Sequence, residues 1–106
     1  MAKIPMEKAV NGVVSFLSSE ASKIRSMQDK FLMYAALGAV KANPCATVGK
    51  YVETLEMLGV VSDDMVDLDT LKSALESAFA NVPNFNALGF TFTESDVPVL
   101  LRHMGG

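Results

Sequence analysis

Four aspartates, Asp63, Asp64, Asp67 and Asp69, crowd one short stretch, and carboxylates at such spacing are the raw material of a calcium loop. An EF-hand counted from Asp63 needs an oxygen ligand at its third position, glycine at its sixth and glutamate at its twelfth. The chain has Met65, Leu68 and Ala74 there. The cluster is better explained as a polar turn and a helix cap, with acids where the helix macrodipole favours them. The other reactive side chains stand singly. One cysteine, Cys45, cannot form an internal disulfide, and one cysteine with one histidine, His103, falls short of the roughly four ligands of a structural zinc site. Cys45 is placed in the first turn of a helix, which favours a thiolate, but Asn43-Pro44-Cys45 offers it no basic neighbour. His103 follows Arg102 near the C-terminus, an ordinary place for cations at a helix end. No nucleophile adjoins a base, no paired carboxylates share an apolar setting and no glycine-rich phosphate loop occurs. The sequence thus predicts no catalytic residue, no metal, no cofactor and no small-molecule substrate.

The elements that would position these side chains are mostly helical. After Pro5, set in a helix's first turn, Met6, Ala9, Val10, Val13, Val14, Leu17, Ala21 and Ile24 recur every three or four residues and predict a helix over about 5–25. Ser26 with Asp29 resembles a capping box opening a second helix over 27–42. Its stretch KFLMYAALGAVK, Lys30 to Lys41, is apolar on nearly every side, so it is expected to be the central core helix, with Leu37 buried in it. Its small residues Ala35, Gly38, Ala39 and Ala42 suit close packing. Asn43-Pro44 restarts the chain as a third helix to about 58, with stripe residues Val48, Tyr51, Val52, Leu55 and Leu58, ended by Gly59 as a left-handed cap with Val60 packing back. Val60 to Val66 reads as a short extended excursion around Ser62-Asp63-Asp64. Asp67 then caps a fourth helix, buried through Leu68, Leu71, Ala74, Leu75, Ala78, Phe79 and Val82 and stopped by Pro83. Residues 83–89 read as a loop anchored by Phe85 and Leu88. Phe90-Thr91-Phe92 alternates like a strand whose expected partner is Met65-Val66. Thr93 with Asp96, or Ser95, caps a last short helix with Pro98 in its first turn, docked by Val97, Leu100, Leu101 and Met104.

The expected fold is therefore all-α: four principal helices and a short C-terminal one around a central apolar helix, with at most a two-stranded β patch. The 106 residues make one helical domain, 1–106, of which 50% are hydrophobic and 20% charged, too apolar for a disordered chain. The longest apolar run would reach only about 15 Å as a helix, half a bilayer core, and no secretory leader is evident, so a soluble, acidic, cytoplasmic protein without a membrane span is expected. Charge is uneven. Residues 1–53 hold seven Lys/Arg and four Asp/Glu, for +3, and residues 54–106 hold two and eight, for −6, which sum to the net −3. Complementary halves pair within the fold or allow head-to-tail contact through an acidic C-terminal face.

The segment Thr47 to Val61, TVGKYVETLEMLGVV, resembles the recognition helix of winged-helix DNA-binding domains and the strand after it, with Ser62-Asp63-Asp64 at the wing tip. The resemblance implies a helix-turn-helix regulator that reads duplex DNA. Charge opposes that activity, because DNA affinity rests on Lys and Arg neutralising phosphates, whereas this helix offers Lys50 against Glu53 and Glu56 and the tip carries two aspartates.

An apolar, acidic chain without catalytic groups is expected to be a protein–protein interaction or assembly module, a homo-oligomer or a binder of another protein. The expected interface is the first helix, where Val10, Val13, Phe16 and Leu17 cover more than one narrow stripe, with Phe16 off the main face. The alternatives are a winged-helix-like nucleic-acid-binding regulator and a binder of a small apolar ligand in the bundle core.

Overall fold

The computed structural model describes residues 3–87 and 90–105, with side chains described for all of these except residues 44–48, 50, 51, 87 and 90. Five helices carry most of the chain: α1 (Met6–Ala21), α2 (Met27–Ala42), α3 (Pro44–Met57), α4 (Leu68–Asn81) and α5 (Val97–Gly105). The expected mainly helical fold with a small β component is what forms. The side chains of Cys45, Val48, Lys50, Tyr51 and Phe90, and all of Leu88, lie outside the described residues.

Helix ends follow local chemistry. Ser26 Oγ accepts the Asp29 N–H at 3.3 Å, and Asp67 Oδ1 accepts the N–H groups of Asp69 and Thr70 at 3.0 and 3.2 Å, so both helices start where a side chain replaces the missing helical acceptor. The end of α3 is a Schellman motif. Gly59, at φ +77°, donates to Glu56 O, Val60 donates to Leu55 O, and Val60 is buried. Thr93 and Asp96 form the reciprocal capping box that leads through a short 3₁₀ turn, Glu94–Asp96, into α5. The first helix ends earlier than its apolar periodicity suggests. Ser22 Oγ bonds Ser19 O, and the N–H groups of Lys23 and Ile24 bond Glu20 and Ala21 in a tightened last turn. Ile24 is still buried, but from the turn rather than the helix.

The β structure is more extensive than a two-stranded patch and paired differently. Strands β1 (Lys3–Pro5), β2 (Val61–Ser62) and β3 (Met65–Asp67) make an antiparallel sheet in the order β1-β3-β2, with Ile4 opposite Val66 and Val61 opposite the same residue on the other side. Pro5 ends a strand and precedes α1 instead of lying in its first turn. Strand β5 (Phe90–Thr93) pairs not with Met65-Val66 but with β4 (Asn84–Ala87), the segment expected to be a loop. The near partner wins because closing a short hairpin loses less chain entropy than a distant pairing.

The central helix is α1, not α2. Packed along α5 on one side and α2 on another, α1 buries Ala9, Val10, Gly12, Phe16 and Ala21. The main core joins Ile4, Ala9 and Phe16 to Val60, Val61, Val66, Leu68, Leu100 and Met104. A smaller cluster holds Ala21 and Ile24 against Met33 and Leu37, the two buried residues of α2. Close approach decides the arrangement. A Cβ on Gly12 would lie 2.8 Å from His103 O and nearer still to Met104 Cα, so α5 reaches the backbone of α1 only because position 12 is glycine.

Candidate functional site

The interface expected on the first helix is taken up by the core. Phe16 is 1% exposed and Val10 is buried, while Val13 and Leu17 are partly buried against the two clusters. The Phe16 ring packs edge-on against Phe92 and His103, with centroids 5.8 and 5.9 Å away. Its position off the main apolar stripe is explained by α5 and the β4–β5 hairpin, which cover that side of α1 and supply these rings.

Among the described residues, half of the large apolar side chains that the core leaves exposed are Met57, Leu58, Val82 and Phe85, and the other half lie on α2. Only Met33 and Leu37 turn fully inward, and Phe31 (68% exposed), Met27 (63%), Leu32 and Tyr34 are open to solvent. Met27, Phe31 and Tyr34 recur at four and three residues and so form one ridge, continued by Gly38. A Cβ on Gly38 would meet nothing within 4 Å, so packing within the chain does not require glycine there. Lys30 and Lys41, eleven residues or about three turns apart, share a flank of this face, and neither pairs with a carboxylate among the described residues. A second apolar exposure lies at the end of α3, where Met57 is 82% and Leu58 56% exposed. Beside Leu58 a solvent-open groove of about 440 Å³ runs along α4 past Thr70, Ser73, Ala74, Ser77, Ala78 and Asn81.

One pairing of reactive groups was not legible in the sequence. Ser15 Oγ lies 3.1 Å from His103 Nδ1, next to a cleft lined by Asn11, Val14, Ser15, Ser18 and Lys41. A serine and a histidine act as nucleophile and base when a third group orients the imidazole and free donors await the oxyanion. Ser15 sits within α1, whose N–H groups are already used in helical bonds, and no described carboxylate bonds His103. The arrangement works as a clasp between α1 and α5.

The chain matches no protein-family model, no curated protein and no solved structure. The segment resembling a recognition helix does fold as helix, glycine cap and hairpin. Asp63 and Asp64 occupy its two-residue turn at φ 52° and 60°, the left-handed pair of a type I′ turn. Glu53, Glu56, Asp63 and Asp64 are all exposed, so its surface is acidic where phosphates would lie. Among the described residues no helix is long and apolar enough to cross a membrane.

Proposed function

We propose that this protein is a non-enzymatic interaction module that self-associates, with the outward face of α2 as its docking surface and a second copy of the chain as the occupant. The observation that carries the reading is the unburied ridge Met27, Phe31 and Tyr34, with Leu32 also exposed on another side of α2. Apolar side chains contiguous along a helix and flanked on one side by Lys30 and Lys41 are the composition of a protein contact rather than of a solvated face. Charge selects the occupant. The ridge belongs to the half that carries +3, and residues 54–106 of another copy carry −6. The lone cysteine and short apolar helices suit work in the cytoplasm.

The test is the mass in solution at about 100 µM, a concentration at which even a small interface of micromolar affinity is occupied. The wild type should be larger than a monomer, and Met27→Lys with Phe31→Glu should return it to monomer with far-ultraviolet circular dichroism unchanged, because both residues are exposed. A monomeric wild type sinks the proposal.

A further inference from the structure

We propose that the ridge of α2 is received by the groove along α4 of the next copy, so that the protein assembles head to tail. This rests on the self-association proposed above and adds to it the receiving surface and the symmetry. Every α4 residue lining the groove is small or short: Thr70, Ser73, Ala74, Ser77, Ala78 and Asn81. They form rows along the helix at steps of three and four, Thr70-Ser73-Ser77-Asn81 and Thr70-Ala74-Ala78, and Leu58 also lines the groove, with the exposed Met57 next to it in sequence. Among the described residues no side chain fills the groove, which is open to solvent and has a volume of about 440 Å³. Helix pairs pack a ridge of one into a groove of the other, and here large side chains at i, i+4 and i+7 meet small ones in rows of the same period. Met27 to Tyr34 spans about 10 Å and Thr70 to Asn81 about 16 Å, so the ridge fits within the length of the groove.

Charge distinguishes this arrangement from a twofold pairing of α2 with itself. An antiparallel α2–α2 pair brings Lys30 of one copy towards Lys41 of the other on the same flank, where like charges repel. Docking on α4 sets those lysines on the acidic half instead, where Asp69 and Glu76 are exposed on α4 with Lys72 between them. Because ridge and groove are different surfaces of one chain, the contact is heterologous, and each added copy presents a free ridge at one end and a free groove at the other.

The inference is tested with two variants and their mixture, each followed by sedimentation velocity. The ridge variant is Met27→Lys/Phe31→Glu, and the groove variant is Ser73→Trp/Ser77→Trp, both changed at exposed positions. Asn81→Trp, also exposed, serves as a second groove variant should the first fail to fold. Each variant alone should be monomeric where the wild type is assembled, and an equimolar mixture should form dimers that grow no further, because one intact ridge and one intact groove remain. If the wild type assembles and the folded groove variants assemble within about threefold of its affinity, the groove is not the receiving surface, and self-association itself still stands. A mixture that stays monomeric overturns the head-to-tail contact. A monomeric wild type removes both proposals together.

Discussion

Ser15 and His103, eighty-eight residues apart in the chain, are joined by a 3.1 Å hydrogen bond between Oγ and Nδ1 that ties the middle of α1 to the end of α5. Both groups are solvent-exposed, so water competes for the bond, and Ser15→Ala should cost at most about 1 kcal/mol in urea unfolding. The imidazole also packs edge-on against Phe16, so His103→Ala should cost more than Ser15→Ala. Equal losses for the two variants would show that the ring contact contributes nothing.

Two glycines should respond to alanine in opposite directions. At Gly12 the new methyl would strike the backbone of His103 and Met104, and neither can yield without separating α1 from α5, so Gly12→Ala should destabilise by about 1–3 kcal/mol or more. At Gly38 there is open space, and Gly38→Ala should raise stability by up to about 1 kcal/mol through helix propensity. Thermal unfolding reads both changes.

Leu37 is buried against Ala21, Ile24 and Met33, and Leu37→Ala should cost about 2–5 kcal/mol in chemical denaturation. Leu32→Ala, on the open side of the same helix, should change stability by less than about 0.5 kcal/mol. Similar costs at the two positions would mean that both sides of α2 are covered.

The β2–β3 turn holds two non-glycine residues at positive φ. Asp64→Gly should stabilise the monomer by about 0.5 kcal/mol or more, since glycine adopts this conformation without a Cβ penalty, and Asp64→Val should destabilise it. Denaturant midpoints of the two variants, compared with wild type, decide the matter.

Titration of labelled random duplex at low salt should show no binding near micromolar concentration, because the helix and hairpin that resemble a winged-helix reader expose Glu53, Glu56, Asp63 and Asp64. Salt-sensitive micromolar binding lost in Lys50→Glu would restore the nucleic-acid reading.

The sequence by itself determined the helices and most of their ends, because those depend on neighbours within a few residues. Ser26, Asp67 and the Thr93–Asp96 pair supply acceptors where the first helical turns lack them, and Gly59 accepts a left-handed backbone that other residues resist. The burial of Leu37 was also legible from its surroundings in the chain. Which helix stands at the centre was decided only in three dimensions. Hydrophobicity states that a surface would gain by being covered, not that anything is available to cover it, and KFLMYAALGAVK has the composition of a core helix with one covered face. Coverage went instead to α1, because glycine at position 12 lets α5 pack against its backbone and because the rings of Phe92 and His103 close over Phe16. Strand pairing was settled the same way: the alternation of Phe90 to Phe92 marks a strand, but the short return to Asn84–Ala87 rather than to Met65-Val66 follows from the cost of loop closure. The Ser15–His103 clasp, the α4 groove and the ridge of α2 belong wholly to the tertiary structure, since each exists only through what the fold brings near it or leaves open.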